Sequence, residues 1–433
     1  MSALGPAQAQ FRFLLLLGLR WFPVGLMIPV SVLLALERGL GLAEFGSVAA
    51  VQGITVLLLE LPTGGLTDAI GRRPVLLLAA SVNLVAFGLL AVAQSVLAFL
   101  VYFLLQGIYR ALDSGPLEAW YVDHALAADE RADIESGLSR SGVVLGVAIA
   151  GGALASGGLV ALGPVGPVSA LTVPVLVSIA VQVVSLIAVI TLMTEDRPAR
   201  GVSALVASVR GVPAAIGGAL RLVRASRVVA ALMLVELFWG FGMTCFETLT
   251  PVRLTEVVGS ADRASALMGP VGSAAWAASA GGAALIPLLV RRIGAPWTGF
   301  VLRIAQGITV VGMGLFAGPV GVIGAFLLCY TVHGAANPVH AGLLHRQVDG
   351  PYRASLLSLN SMVGQPGSAL GLVVLTAIAA HASTTLAMLV GAVVLAVAAP
   401  LYLVARRSPS TVEFREDIDV GISTTSALTP GGT

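Results

Sequence analysis

The sequence contains no lysine: all 24 of its basic residues are arginine. A Gly-x-x-x-x-Gly-Lys-Ser/Thr phosphate loop therefore cannot occur, which disfavours ATP hydrolysis by this chain. Charge of either sign is scarce. Only 11% of residues are charged, 57% are hydrophobic, and the mean hydropathy is +0.96. An ordinary soluble protein carries roughly 25% charged residues. That balance rules out the two or three soluble domains that 433 residues would otherwise suggest. Cysteine is nearly absent too, and Cys245 and Cys329 both fall in apolar runs, so no disulfide framework is expected. No compact His/Asp pair backed by a third ligand stands out, so no metal site is expected. The N-terminus lacks an Ala-x-Ala-like cleavage site. It opens polar and turns apolar from Phe11, which reads as a retained first helix.

What the chain has is apolar runs of about twenty residues, the length that crosses a hydrocarbon core of roughly 30 Å. They are rich in Leu, Ala and Val without strand-like alternation, so they read as helices and not as an outer-membrane barrel. Spans are expected at 11–36, 44–66, 74–93, 96–122, 141–162 and 168–193. A second set follows at 228–249, 263–290, 296–315, 320–344, 354–380 and 384–404. The fold class is an all-α polytopic membrane protein with twelve transmembrane helices in two pseudo-symmetric six-helix bundles, 11–194 and 228–405. An arginine-rich linker, 195–227, joins them, and its middle (213–223) suits an amphipathic surface helix. The stretch 123–140 reads as an acidic loop, and the polar tail 406–433 as disordered.

One short stretch orients the rest: GGLTDAIGRRP, 64–74, a charged turn between the second and third apolar runs. Arginines beside span ends favour the cytoplasmic side. With this turn inside, Arg12, Arg72, Arg73, Arg131, Arg140, Arg291, Arg292, Arg346, Arg353 and the arginines of linker and tail fall inside. Only Arg38, Arg253 and Arg263 fall outside. Both termini are thus expected in the cytoplasm.

The layout resembles the major facilitator superfamily, whose signature between the second and third helices is Gly-x-x-x-Asp-x-x-Gly-(Arg/Lys)-(Arg/Lys). Gly64, Asp68, Gly71, Arg72 and Arg73 fit it; Ala69 stands where the family often has another basic residue. A faded copy, PLLVRRIG at 287–294, sits at the pseudo-equivalent position, with Arg291 in the place of the aspartate. The resemblance implies a conformational gate in which Asp68 and Arg72 lock the inner face of the outward-facing state; the other reading of the turn is a topological anchor. It also implies proton-coupled export of small molecules, as in bacterial multidrug exporters. The fifth span has the exporters' glycine spacing without their Gly-Pro pair. The implied setting is a bacterial cytoplasmic membrane. The partners are a small-molecule substrate, protons and lipid, with no nucleic acid, in a monomer. No cofactor is expected, the proton gradient being the driving force.

Charges inside spans are expensive and mark candidate sites. Arg110, Asp113 and Glu118 lie on the fourth span, with Arg20 at a comparable depth on the first. An Arg20–Asp113–Arg110 cluster serves equally as a brace or as coupling machinery. Glu60 lies near an inner end, where it can reach water. Glu236 and Glu247 flank FWGFGMTCF on the seventh span, with Phe238, Trp239 and Phe246 between them. Aromatic rings beside a carboxylate suit a lipophilic or cationic substrate. A carboxylate buried without a fixed cationic partner favours taking up a proton. That makes Glu236 the leading proton carrier, with Asp113, Glu118 and Arg110 as the other coupling candidates. Glu247 is expected at the outer mouth against Arg253. The alternative for both acids is structural hydrogen bonding. His333 and Asn337, with His340 a turn on, and Asn360 and Gln365 are expected along the second half of a cavity, packing being the rival role for the histidines. Arg303 is expected to snorkel inward. Two rival functions remain: an importer or uniporter for a polar nutrient, and a non-transporting receptor or scaffold.

Overall fold

The computed structural model describes residues 4–195, 223–347 and 352–406, with a few isolated positions between 201 and 221. For residues 61, 64, 65, 68, 352–355 and 357 only the backbone is described. The linker helix expected at 213–223 and the tail from 407 lie outside the described residues, apart from those isolated positions. Among the described residues, eleven helices are long and apolar enough to cross a membrane, or twelve when one bent pair is taken as a single span. The protein is an all-α polytopic membrane protein.

The bent pair is α1 (Pro6–Met27) and α2 (Ser31–Glu37), which meet at 45°. Pro29 lies in the turn between them and has no N–H to continue the helical ladder. α3 (Leu42–Ile70) and α4 (Arg72–Val92) follow. The charged stretch at 64–74 is therefore not the glycine-rich loop expected. The helix runs on to Ile70 and reverses at Gly71 alone, with φ +95° and ψ 163°. Only glycine takes that φ without strain. The site also excludes a side chain, because a Cβ on Gly71 would lie 2.7 Å from Oε2 of Glu195.

The fourth span divides into α5 (Val96–Asp113) and α6 (Pro116–Ala128), separated by Ser114 and by Gly115 at φ +92°. Pro116 then starts α6, where its missing N–H costs nothing. The acidic loop expected at 123–140 is mostly helix. α6 continues to Ala128, and α7 (Ile134–Ala161) begins after Asp133, whose carboxylate accepts from the Ser136 N–H at 2.9 Å. Charge had signalled the end of the apolar zone, not the end of the helix. A 3-10 turn (Ala170–Thr172) leads into α8 (Val173–Leu192).

The second half holds α9 (Arg227–Glu247), α10 (Leu249–Val258), α11 (Ala261–Ile293), α12 (Ala295–Leu315), α13 (Pro319–His345), α14 (Tyr352–His381) and α15 (Thr384–Val397). A 3-10 stretch (Ala399–Arg406) ends it. Gly294, between α11 and α12, has φ +80° and ψ 156°. The degenerate sequence copy keeps the backbone geometry of Gly71 after losing the aspartate.

α1 packs on α7 and α8, and α5 on α3 and α4; in the second half α9 packs on α14, and α13 on α11 and α12. Two helix pairs make the main contact between the halves: α3 with α14, and α7 with α11. Lipid supplies no hydrophobic drive between helices, so close approach of small residues does the work. Gly157 meets the backbone of Gly269, and Gly46 receives Thr376. Gly152 packs likewise on Phe22 of α1, whereas Gly142, Gly146 and Gly158 face open space.

Both cross-half contacts lie toward the end that carries Arg38. There a single apolar core runs through both halves, from Leu33, Phe45, Phe87 and Leu171 to Phe246, Leu249, Met268 and Phe326. Toward the end that carries Arg72 the core splits. One part holds Phe13, Leu117, Trp120 and Val189, and the other Leu232, Ile286, Leu343 and Tyr402. The halves are joined at one end and part at the other.

Candidate coupling and substrate site

Exposure sorts the spans into two surfaces. Most large exposed apolar side chains are Leu, Val or Ile, as suits a lipid-facing surface. Arg110 on α5, Ser114 between α5 and α6, Glu118 on α6, Glu247 on α9 and Asn337 on α13 are also exposed and are polar. Lipid does not tolerate that set, so they mark a wet cleft between the halves.

In the first half Arg20 forms an ion pair with the buried Asp113, which Tyr109 also hydrogen-bonds. Arg110 does not complete the expected cluster. Its side chain is exposed, and among the described residues it makes no hydrogen bond or close ion pair. A small cavity beside the Arg20–Asp113 pair is lined by Tyr109, Gln182 and Ser185 as well. Behind it, Gln106 Nε2 donates to Asn83 Oδ1 at 2.9 Å, Asn83 Nδ2 donates to Gln182 Oε1 at 3.1 Å, and Gln182 Nε2 to the Ala80 carbonyl at 3.1 Å. This amide chain ties α4, α5 and α8 together. Sequence reasoning missed it, although three amides inside apolar runs were the available signal.

In the second half Glu236 is embedded in a network. His340 Nε2 donates to Asn360 Oδ1 at 3.0 Å, its Nδ1 is hydrogen-bonded to Tyr402 Oη at 3.0 Å, and Nε2 lies 3.8 Å from Glu236. Arg303 does not snorkel. It is 1% exposed, donates to Gln306 Oε1 at 2.6 Å, and bonds Tyr402. The reason is local: the Tyr402 ring lies over Gly299, one turn from Arg303, and seals that face of α12. Tyr402 and Gln306 were not singled out from sequence, and Asn360 belongs to this network.

Between the acids, Trp239 stacks on His333 with centroids 5.4 Å apart and planes 9° apart, and Phe246 and Tyr330 lie edge-on or tilted beside them. His333 and His340 thus serve different neighbours, though their spacing put them on one stripe. Phe246 is 1% exposed and is part of the joint core rather than a cavity wall, its ring packed at a right angle to Tyr330. Phe238 is half-buried, and Gln365 faces Gly53 across the halves. Arg253 does not meet Glu247. It pairs with Glu256 at 2.9 Å and donates to the Phe316 carbonyl at 3.1 Å, both on its own side of the molecule. Among the described residues no group of three His, Cys, Asp or Glu is placed to hold a metal ion.

At the Arg72 end, Glu195 caps α4: its carboxylate accepts from the backbone N–H of Arg72 at 2.6 Å and of Arg73 at 2.9 Å. A carboxylate at a helix N-terminus is favoured by the helix dipole and the unpaired N–H groups. The Arg72 side chain pairs with Asp123 at 2.5 Å and donates to the Ala119 carbonyl, and Arg73 donates to the Ile190 carbonyl at 2.7 Å. None of these partners is in the second half. The Asp68 side chain and any contact of Gly64 lie outside the described residues.

The family model of the Major Facilitator Superfamily matches residues 13–339. Among solved structures, the nucleoside transporter NupG is 13% identical with a TM-score of 0.73, covering 93% of this chain and 100% of that one. A bacterial homologue of the human lysosomal transporter Spinster, in an inward-facing and occupied conformation, is 14% identical with a TM-score of 0.74, covering 92% of this chain and 96% of that one. No curated protein matches by sequence. At these identities the solved structures establish fold and not cargo. The chain belongs to the major facilitator superfamily, a secondary-active transporter working by alternating access and not an enzyme.

Proposed function

We propose that this protein exports a lipophilic small molecule in exchange for protons across a bacterial cytoplasmic membrane, as a monomer with both termini inside. On that orientation the Arg72 end faces the cytoplasm, and the cleft described above opens inward. The observation that supports the reading most is the stripe shared by α9 and α13. Glu236 and Glu247 lie eleven residues apart, about 16 Å along one helix face. Between them Trp239, His333 and Tyr330 form an aromatic wall, with Phe246 packed behind it in the core. Flat rings offer apolar area and π-faces to a hydrophobic or cationic ligand. Ionisable side chains beside such a wall, in a low-dielectric span, respond to protons and to bound charge together. Asp113, Glu118, Glu236 and Glu247 form the set from which the proton binder comes, with Arg110 as the nearby cation.

The gate is the Gly64–Arg73 stretch, with Arg72 free to leave Asp123 when the Arg72 end closes. Everted vesicles test the whole reading. A lipophilic dye should be taken up faster with an acid-inside pH gradient, and uptake at the full rate with the gradient collapsed ends the antiport claim.

A planar polar solute is the second reading. Trp239 Nε1 and His333 Nδ1 are buried without a hydrogen-bond partner among the described residues, and one structural relative is a nucleoside transporter. A thermal-shift comparison of nucleosides with lipophilic cations separates the two. Stabilisation by nucleosides alone selects the polar solute.

A further inference from the structure

The two halves balance their charge differently at the Arg72 end. In the first half the protein itself takes up the arginines. Arg72 pairs with Asp123, Arg73 donates to the Ile190 carbonyl, Arg12 to the Leu192 carbonyl and Arg140 to Gln10 Oε1. Glu195 brings a further carboxylate to the turn at Gly71.

The same end of the second half has cations without such partners. Arg227, Arg291, Arg292, Arg346 and Arg406 are all exposed there. The described carboxylates of this half are Glu236, Glu247, Glu256 and Asp262, which lie in mid-span or toward the Arg38 end. Among the described residues Arg291, Arg292 and Arg406 make no hydrogen bond or ion pair.

The fold gathers these three. Arg291 and Arg292 close α11, and Trp297 lies in the first turn of α12, just across Gly294. The Arg406 guanidinium, at the end of the 3-10 stretch that packs on α12, sits 5.1 Å from the centroid of the Trp297 ring. A guanidinium stacked on a ring still offers its N–H fork to a phosphate.

What lies beside the arginines decides between occupants. By helical spacing Leu285 and Leu288 share the α11 face of Arg292, and Val301 and Ile308 share the α12 face of Trp297. All four aliphatic side chains and the Trp297 ring are exposed. Exposed tryptophan at a span end marks the membrane–water interface. The arginines thus stand at headgroup level, with acyl-chain surface directly beneath them. A free anion or an acidic peptide would use the cations alone, whereas a phospholipid uses both.

We propose that Arg291, Arg292 and Arg406 hold the phosphate of an anionic phospholipid from the leaflet at the Arg72 end, with its acyl chains along α11 and α12. Basic pockets between helix ends on the cytoplasmic side suit such headgroups. The lipid brings to the Gly294 turn the negative charge that Glu195 brings to the Gly71 turn, and ties this end of the second half to its leaflet. The site is independent of the cargo and of the direction of transport.

Native mass spectrometry of delipidated full-length protein in detergent tests this, comparing phosphatidylglycerol with phosphatidylcholine of the same acyl chains. The unsubstituted protein should bind phosphatidylglycerol more tightly and gain melting temperature from it, and gain none from inorganic phosphate. The Arg291→Gln/Arg292→Gln double variant and the separate Arg406→Gln variant should weaken phosphatidylglycerol binding by about fivefold for each arginine removed. Arg140→Gln, at the same end of the first half, should not weaken it. Phosphatidylcholine binding should be alike in all four proteins, which reports an intact fold; if the double variant loses that too, Arg406→Gln decides alone. Equal binding of the two lipids, or an equal loss in Arg140→Gln, overturns the site. Equal stabilisation by inorganic phosphate would make it a free-anion site and end the lipid assignment. The acidic tail segment would be the occupant instead if selectivity appears only after Glu413, Glu416, Asp417 and Asp419 are neutralised in the full chain.

Discussion

Arg303 shows how a single residue can be misjudged from its neighbours in sequence. An arginine seven residues into a span can reach the interface by extending its side chain, and nothing in GFVLRIAQG argues otherwise. What decides is the Tyr402 ring, roughly a hundred residues away, lying over Gly299 and closing the route to water. Such partner identities depend on which helices pack, and one chain read alone does not contain that. The burial of Arg303 makes a prediction. Arg303→Leu should lower stability, because Gln306 and Tyr402 lose their bonds to it and Glu236 loses the cation that acts on it. Glu236→Leu should do the same, and the double variant should recover much of the loss, giving a large non-additive term. Denaturation in detergent measures all three. Additive losses would show that the two charges do not compensate each other.

At the scale of elements, the apolar runs were legible and their ends were not. Spans 74–93 and 296–315 came out within two residues of α4 and α12 at each end, because glycine and the loss of hydropathy coincide there. The stretch 123–140 failed because charged residues on α6 and α7 sit on helical faces beyond the apolar zone, where helix and membrane end at different places. The turn between α3 and α4 was recognised by its motif, yet its capping group, Glu195, lies over a hundred residues further on. Gly71→Ala should therefore destabilise by more than the ordinary backbone penalty of about 1 kcal/mol, since it adds a Cβ beside the Glu195 carboxylate as well as strain. Gly294→Ala has the same φ penalty and nothing within 4 Å of the new Cβ. It should cost less. Melting temperatures of the two variants check this, and equal losses would mean that Glu195 yields freely.

At the scale of the molecule, the halves share a core at the Arg38 end and part at the Arg72 end. The sequence showed two sets of spans and the side on which arginine accumulates, but not which end is closed, because both arrangements use the same chain. Gly157 and Gly269 hold the closed end at backbone contact. Gly157→Val should pry α7 from α11 and lengthen the distance between spin labels on Leu97→Cys and Val320→Cys, both exposed at the Arg38 end of opposite halves; an unshifted distribution would remove this contact from the closure.

Access to the cleft from each side tests the account most directly. Asn337 is exposed at mid-span among the polar groups, and both native cysteines are buried. A membrane-impermeant maleimide should label Asn337→Cys from the Arg72 side at alkaline pH, and from the Arg38 side as well once the medium is acidified. Labelling from neither side, or from the Arg38 side at every pH, would contradict a cleft whose two ends open in turn.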